Sequence, residues 1–303
     1  MPATERTVPL VPRRRLVGLS FGGLTSARRG PGSDVAGSRP YQPGDDVDTI
    51  DWAASARLSA ARDADEFVVR EKFAEEAPRV VVIADRRPQM SVFPPHLPWL
   101  SKARAMREAT EILFDSAMAI RGVSGYLDYG DGEAFWRPPR TQHEPIELDE
   151  RNRYDAPTDT IALGLQHLVE HRRSVPTGSF VFVLSDFLGA QTPETWTRAL
   201  QQRWDIVPVV IQDRVWEQSF PPVGGMVVPF WDPETGRILP IRMTDAQAAE
   251  RKRRNEERFV RLLDDLRDLE LEPVVLSSHA RDEVLEAFLD WAELRRAWRG
   301  RRW

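Results

Sequence analysis

Val80-Val-Val-Ile-Ala84 is a short run of mostly β-branched residues that ends directly at Asp85. Phe180-Val-Phe-Val-Leu184 repeats this pattern and is followed by Ser185 and Asp186. Uninterrupted apolar runs of this length are typical of strands that are buried on both faces of a parallel sheet. The two runs therefore predict central strands of an α/β domain, each with a carboxylate at its carboxyl end.

The chain after residue 79 alternates strand-like and helical patterns, which predicts a doubly wound, mostly parallel sheet. A third strand-like run at 206–211 contains Pro208, which favours a position near a sheet edge or at a strand start because proline cannot donate to a ladder. In open α/β sheets, ligands bind outside the carboxyl ends of the strands. Asp85 and Asp186 therefore share one rim if their strands are neighbours. The predicted helices span 102–120, 159–172, 193–202, 245–269 and 281–298, a last strand spans 273–276, and hairpins are predicted at 125–136 and 227–241.

Composition excludes several classes of function. The 303 residues are 41% hydrophobic and 29% charged, which is enough to bury the core of a large domain. The net charge of −5 argues against a general nucleic-acid binder. The absence of cysteine excludes disulfides, thiolate metal sites and cysteine nucleophiles. No apolar run is long enough to predict a membrane span or a signal peptide, so we expect a cytoplasmic protein without direct membrane insertion.

An acidic motif precedes the predicted sheet: Tyr41-Gln-Pro-Gly-Asp-Asp-Val-Asp-Thr-Ile-Asp-Trp-Ala-Ala-Ser-Ala-Arg57. Its spacing lacks the glycine and terminal glutamate of an EF-hand loop. The Pro-Gly pair predicts a turn, and aspartates in such a segment cap backbone N–H groups. We expect a structural role, with Trp52 anchoring the segment and Arg57 paired with Asp51; a metal site and a direct partner contact are the alternatives. The residues assigned to this structural motif are Tyr41, Pro43, Gly44, Asp45, Asp46, Asp51, Trp52 and Arg57.

Three stretches give the chain a family resemblance. They are the motif at 39–57, the two strand-plus-aspartate runs at 80–85 and 181–186, and the segment 213–236 with its Asp-Pro-Glu-Thr-Gly turn. The chain resembles the von Willebrand factor A-like (vWA-like) proteins of unknown function (domain of unknown function 58) that accompany MoxR-type AAA+ ATPases in bacteria. The resemblance implies a vWA-like, Rossmann-type α/β domain at 79–303, with a hairpin insertion at about 213–243. Residues 1–78 form a small β-rich or extended N-terminal segment in this interpretation.

The resemblance also implies a metal-ion-dependent adhesion site. Such a site has an Asp-x-Ser-x-Ser motif after the first strand, a threonine before a later helix and an aspartate after the next strand, which together hold Mg²⁺ through oxygen atoms. Here Arg87 and Gln89 stand where the two serines belong, while Asp85 and Asp186 remain. The threonine falls at Thr158 or Thr160, and the spacing does not decide between them.

We predict that this degenerate site does not bind Mg²⁺ in the usual way. A guanidinium beside a cation site repels the cation by a few kcal/mol or more in partly buried surroundings. The hypothesis is that Arg87 replaces the ion as an internal counter-charge that pairs with Asp85 or Asp186. The alternative is that Arg86 and Arg87 point to solvent in a vestigial loop.

The segment His167-Leu-Val-Glu170-His171 matches the H-x-x-E-H pattern of some zinc peptidases. Histidines four residues apart share a helix face. That face lies beside the apolar stripe of the predicted helix, so we expect both histidines near the surface and away from the rim. A metal-dependent hydrolase that uses His167, Glu170 and His171, or Asp85 and Asp186, is nevertheless the rival function.

The favoured prediction is a non-enzymatic protein-interaction adaptor with no cofactor. The resemblance implies that its partner is a MoxR-type AAA+ ATPase or a client of that ATPase. Arg86, Arg87 and Asp186 are the predicted partner-binding residues. The rim loops at 86–98, 155–160 and 187–192 are the segments in which substitutions should weaken partner capture. A structural subunit of a larger membrane-associated assembly is a third interpretation.

Overall fold

The structure, a computed structural model, separates into two units, residues 12–78 and residues 1–11 with 79–303. The predicted boundary after residue 78 had placed all of 1–78 in one segment, whereas residues 7–11 belong to the larger unit. There the Val8 amide donates to Ser116 Oγ at 2.8 Å, and Val8, Leu10 and Val11 are buried. The structure describes residues 7–13, 35–40, 50–62, 67–72, 78–92, 100–140, 147–148, 150–189, 193–232, 235 and 237–299.

The smaller unit contains an antiparallel strand pair and a helix. Strand β1 (Val35–Pro40) pairs with β2 (Val68–Lys72), and helix α1 (Trp52–Arg62) lies between them in sequence. The helix corrects the prediction of a β-rich or extended segment. It forms because the stretch is rich in alanine, the strongest helix former, and because Asp51 caps it: the Ala54 amide donates to Asp51 Oδ1 at 3.0 Å.

Ser55 fastens this helix to the strand. Its buried hydroxyl donates to the Asp51 carbonyl at 2.7 Å and accepts from the Val68 amide at 2.9 Å. Trp52, the predicted anchor, is 61% exposed and meets Phe67 edge-on with 6.1 Å between ring centroids. Arg57 Nε donates to the Ala53 carbonyl at 3.1 Å. The remaining motif residues, Tyr41, Pro43, Gly44, Asp45 and Asp46, lie outside the described residues.

The larger unit is built on a six-stranded sheet, in which all neighbouring strands are parallel except the last pair. The predicted α/β class with a mostly parallel sheet is therefore confirmed. Its strands are β3 (Arg79–Ala84), β4 (Val123–Asp128), β5 (Phe135–Arg137), β6 (Phe180–Ser185), β7 (Asp205–Ile211) and β10 (Val274–Leu276), in the order β10-β7-β6-β3-β4-β5.

The two apolar runs at 80–84 and 180–184 form adjacent central strands of the sheet. Val80 pairs with Phe180 and Ala84 with Leu184, and every residue of β6 is buried. The Asp85 amide donates to the Leu184 carbonyl at 2.9 Å, which extends the ladder by one bond. The register therefore delivers Asp85 and Asp186 to the same edge of the sheet.

Pro208 lies in β7 at a position that is hydrogen-bonded to a neighbouring strand on one side only. Its strand, β7, lies between β6 and β10 and is not an edge strand. However, β10 pairs only with Val209–Ile211, so Pro208 faces a strand on the β6 side alone, opposite Val183. A proline is tolerated there because its missing N–H costs no ladder bond.

Helices cover both faces of the sheet, and alternate strand residues point to opposite faces. On one face Val81, Ile83, Val181 and Val183 pack with Ile161, Leu165, Trp196 and Leu266 from three helices. On the other face Phe182 meets Phe288 and Trp291 edge-on at 6.1 and 5.9 Å between ring centroids. The helices are α2 (Lys102–Ala119), α3 (Thr160–Glu170), α4 (Pro193–Leu200), α5 (Asp245–Asp268) and α6 (Arg281–Arg299).

Both predicted hairpins are confirmed. Strands β4 and β5 form the first, and β8 (Val227–Trp231) pairs with β9 (Ile238–Arg242) in the second. The second hairpin carries its own small core, in which Phe220, Val228 and Met243 are buried. It leads into α5, whose start is fixed by a capping box between Thr244 and Gln247. No helix in the described ranges is both long enough and apolar enough to cross a membrane.

Candidate functional site

Six side chains form a charged network at the carboxyl edge of the sheet: Asp85, Arg87, Lys102, Ser185, Asp186 and Glu217. Asp85 follows β3 and Asp186 follows β6, so the parallel register places both carboxylates there. Asp85, Arg87, Lys102 and Asp186 are each 3% exposed or less. Buried charges are costly unless they are paired and hydrogen-bonded, so each partner matters to the stability of this region.

Arg87 lies between the two aspartates. Its Nε donates to Asp85 Oδ1 at 3.0 Å, and its Nη2 donates to Asp85 Oδ2 at 2.5 Å and to Asp186 Oδ1 at 3.1 Å. Burial alone lowers the pKa of Arg87, but the hydrogen bond and charge of Asp85 and the charge of Asp186 outweigh burial and raise it. The guanidinium is thus held charged between the carboxylates. This arrangement differs from a vestigial loop whose arginines point to solvent.

Lys102 supplies a second cation that the sequence analysis missed. Its Nζ lies 2.9 Å from Asp186 Oδ2 and 2.5 Å from Glu217 Oε1. Burial lowers the pKa of Lys102, and the charges of Asp186 and Glu217 outweigh this effect and raise it. The one available signal was that Lys102 begins α2, where a cation opposes the helix dipole and therefore needs a partner elsewhere.

Hydroxyl and amide groups complete the network. Ser185 Oγ donates to Asp85 Oδ2 at 2.6 Å and accepts from the Phe187 amide at 3.1 Å. Asp186 Oδ1 also accepts from the Leu188 amide at 3.1 Å. With its amide oxygen turned towards Arg87, Gln89 accepts from Nε at 3.1 Å and from Nη1 at 2.9 Å. The two positions at which the resemblance expects serines thus hold a guanidinium and an amide that bind each other.

Arg86 turns to a second buried cluster. Its guanidinium donates to Tyr154 Oη and to Tyr126 Oη, both at 3.0 Å, and its Nε lies 3.7 Å from Asp128 Oδ2. Burial raises the pKa of Tyr126, so this phenol stays neutral. Arg86 is only 6% exposed. Arg86, Arg87 and Asp186 were predicted to bind a partner, yet all three side chains lie inside the domain.

The two candidate threonines differ in burial. Thr158 is exposed, whereas Thr160 is buried at the first position of α3. Within the described ranges, no hydrogen bond joins either threonine to the carboxylates of Asp85 and Asp186.

The histidine pair lies away from the charged network. The rings of His167 and His171 stack with 4.1 Å between centroids, and Trp136 meets His167 edge-on at 5.7 Å. His171 Nδ1 is 2.8 Å from the His167 carbonyl oxygen, and Glu170 accepts from Gln166. In the part of the chain that the structure describes, no three histidine, aspartate or glutamate side chains cluster as metal ligands.

Comparison with known proteins gives relatives of similar sequence and a solved structure that aligns with part of the chain. The chain is 27% identical over 257 residues to uncharacterized protein Mb1516 of Mycobacterium bovis and to uncharacterized protein Rv1480 of Mycobacterium tuberculosis. These alignments cover 78% of this chain and 72% of each relative. A crystal structure of the conserved hypothetical protein BatB from Bacteroides thetaiotaomicron aligns with 71% of this chain and 99% of its own, at 15% identity and a TM-score of 0.38.

A family model matches residues 37–259, which is well over half of the chain. The matched region includes the described motif residues Asp51, Trp52 and Arg57 and all six members of the charged network. The chain therefore belongs to the family described as protein of unknown function DUF58.

Proposed function

We propose that this chain is a non-enzymatic protein-interaction adaptor with a vWA-like domain that works with a MoxR-type AAA+ ATPase. The observation that carries the proposal is the double neutralisation of Asp186. Its Oδ1 accepts from Arg87 at 3.1 Å, and its Oδ2 lies 2.9 Å from Lys102 Nζ. We infer that these ammonium and guanidinium groups take the place of the metal that a vWA-like domain holds.

The geometry of the network favours an internal counter-charge over a bound ion. Mg²⁺ demands near-octahedral oxygen ligands at about 2.0–2.1 Å. The Arg87 fork contacts both oxygens of Asp85 at 2.5–3.0 Å, and it approaches Asp186 from the space between the two carboxylates. A divalent cation placed there meets two protein cations, whose repulsion is strong in a buried site.

The network also favours a scaffold over a catalyst. A catalytic acid, base or nucleophile needs a reactive group that reaches a substrate. Here the carboxylates of Asp85 and Asp186 are almost fully buried, and cations, a hydroxyl and backbone amides saturate them. Saturated buried networks hold the loops that carry them in one conformation.

The rim that this network holds in place offers exposed groups for a partner. The Ala156 amide donates to the Arg86 carbonyl at 3.2 Å, which ties the loop before α3 to the loop after β3. Asp155, Thr158 and Asp159 are exposed on the loop before α3, and Ser91 is exposed on the loop after β3. We assign the first contact with the ATPase to these residues rather than to Arg86 and Arg87.

Pull-down of a purified MoxR-type ATPase from the same organism tests this surface. The D155A/D159A variant should lose capture, while its circular dichroism and melting temperature stay close to those of the unmodified chain. A matched control, E286A/D290A, removes two exposed carboxylates from α6, away from the rim loops, and should keep capture. Equal capture by the unmodified chain and both variants, or no capture by any of them, counts against the adaptor proposal.

A further inference from the structure

A cavity opens beside the charged network. It has a volume of about 600 Å³ and lies between the loop that follows β6, the start of α4 and the second half of α5. Its apolar lining includes Phe187, Trp196, Leu262, Leu266 and Leu269. This volume falls within the range of about 300–1,000 Å³ that is typical of ligand pockets. The cavity is therefore large enough for a bulky apolar side chain and its neighbours in a peptide.

Phe187 shapes the wall of this cavity in a strained conformation. Its φ of +49° is left-handed, which is uncommon for a bulky residue without a glycine's freedom. Strain of this kind persists only where the surroundings impose it, and it concentrates at functional sites. Here the preceding residue is Asp186, held by Arg87 and Lys102, and the Phe187 ring stacks against Trp196 at 6.1 Å between centroids. The charged network thus positions the apolar wall.

Arg258 places an unsatisfied cation on the cavity lining. Its Nη1 donates to Asn255 Oδ1 at 3.1 Å and its Nη2 to the Glu217 carbonyl at 2.5 Å, and both acceptors are neutral. Its Nε is buried with no hydrogen-bond partner among the described residues. Burial lowers the pKa of Arg258, although the charges of Glu217 and Asp186 oppose this shift. A half-buried guanidinium without a carboxylate partner is a site for an anionic group of a ligand.

We propose that this cavity binds a peptide segment of a partner protein in which a bulky apolar side chain stands next to a carboxylate. The apolar side chain lies against Leu188, Leu262 and Leu269, which are partly exposed in the lining, and the carboxylate accepts from Arg258. Phe187, Trp196 and Leu266 are buried and support this lining from within the core. A carboxylate fits better than a phosphate because the other charged lining residues, Arg261, Asp265 and Asp268, together carry one net negative charge, which repels a dianion more strongly than a monoanion. The assignment rests on the proposed protein-binding function and names the chemistry of the segment that is bound.

Two short peptides test the chemistry without changing the protein: Ac-Gly-Phe-Asp-Gly-NH2 and its asparagine analogue. Titration of the full chain is followed by NMR shifts of leucine methyl groups and by calorimetry. The aspartate peptide should bind at least about tenfold more tightly than the asparagine peptide, as expected for one charge-assisted contact. Equal affinity of the two peptides, or binding of neither, overturns the proposal.

Two variants locate the site. R258Q should abolish the preference for the aspartate peptide, while R254Q, at an exposed position of α5 outside the cavity lining, should retain it. A preference that survives R258Q places the carboxylate elsewhere and overturns the assignment. The outcome is separable from the test of the adaptor function. If the chain captures the ATPase but binds the aspartate and asparagine peptides equally, only the peptide-binding inference fails. If the chain prefers the aspartate peptide but does not capture the ATPase, only the adaptor proposal fails.

Discussion

Lys102 and Asp186 form an ion pair deep inside the larger unit, with Nζ 2.9 Å from Oδ2 and both side chains no more than 1% exposed. The pair joins the first residue of α2 to the residue that follows β6, across 84 positions of sequence. Because Arg87 engages the other oxygen of Asp186, removal of either cation leaves a buried carboxylate only half compensated. The predicted effects on stability follow from this dependence.

The first prediction concerns Lys102→Met. The change keeps the length and apolar stem of the side chain but leaves Asp186 and Glu217 without their ammonium partner. Breaking a buried pair from one side costs about 3–5 kcal/mol, so the free energy of unfolding should fall by that order. Urea unfolding followed by tryptophan fluorescence measures the change.

Lys252→Met is the matched control for this prediction. Lys252 pairs with Glu256 at 3.8 Å on the surface of α5, where both side chains are at least half exposed. Exposed pairs contribute little, so this variant should unfold at nearly the same urea concentration as the unmodified chain. A similar decrease in the free energy of unfolding in the two lysine variants would show that the buried ion pair stabilises the fold no more than the exposed one.

The pH dependence of the Lys102 contribution has a definite sign. The folded-state pKa of Lys102 is raised above the ordinary 10.5. The folded state therefore binds this proton more tightly than the unfolded state, and the stabilisation is fully present below pH 10.5 and lost as pH rises through the raised pKa. The stability difference between the unmodified chain and Lys102→Met should stay constant near neutral pH and narrow above pH 10.5. A difference that narrows on the acid side instead would point to the carboxylates.

A double-mutant cycle on Asp85 and Arg87 tests the inner pair. D85N and R87M each leave one buried charge without its closest partner, and each should destabilise by about 3–5 kcal/mol. The double variant removes both charges and should recover part of the loss, with a coupling energy of about 1–3 kcal/mol. Additive losses, obtained from urea unfolding of the four proteins, would mean that the contact at 2.5 Å carries no net interaction.

The strands and their terminal aspartates could be predicted because they depend on local pattern. The β-branched run before Asp85 admits few other interpretations, and parallel register then brings Asp85 and Asp186 to one edge. Lys102 could not be found in this way, because its partners lie far away in sequence and a lysine in a helix is ordinarily solvated. Helix α1 was not predicted for a different reason. The Pro-Gly pair and the aspartates of the acidic motif favour turns, whereas the alanines after Asp51 favour a helix.

Burial of Arg86 and Arg87 also lay beyond the sequence. Arginines in a loop after a strand are usually exposed, and only the structure shows the phenols of Tyr126 and Tyr154 around Arg86. The tyrosines lie on β4 and on the loop before α3, which no local pattern connects to Arg86. The resemblance therefore predicted an unusual site at Arg87. The buried partners of Arg86 and Arg87, which only the structure shows, leave other residues of the rim exposed to solvent.

His167 should contribute to the loss of stability in mild acid. Burial and the charge of His171 lower the pKa of His167 below 6.5, although Glu170 opposes the shift. The folded state therefore binds this proton less readily than the unfolded state, and stability is lost as pH falls from 6.5 through the lowered pKa. His167→Phe keeps a ring against Trp136 without the proton, so its melting temperature should fall less steeply between about pH 7 and pH 5. If the melting temperature of His167→Phe falls with pH as steeply as that of the unmodified chain, other titratable groups cause the loss of stability in acid.

Metal addition tests whether the two cations occupy the place of an ion. The melting temperature of the unmodified chain should not respond to Mn²⁺, because Arg87 and Lys102 already neutralise Asp85 and Asp186. R87S/Q89S introduces hydroxyls at the two positions where the resemblance expects serines, but Lys102 still contacts Asp186. The triple variant R87S/Q89S/K102M removes both cations, so it should be destabilised without metal and regain stability as Mn²⁺ is added, since a ligand that binds only the folded state raises its stability. Adding D186N should abolish this recovery. A saturable response of the unmodified chain that D186N removes would instead place an ion at Asp186 in spite of both cations.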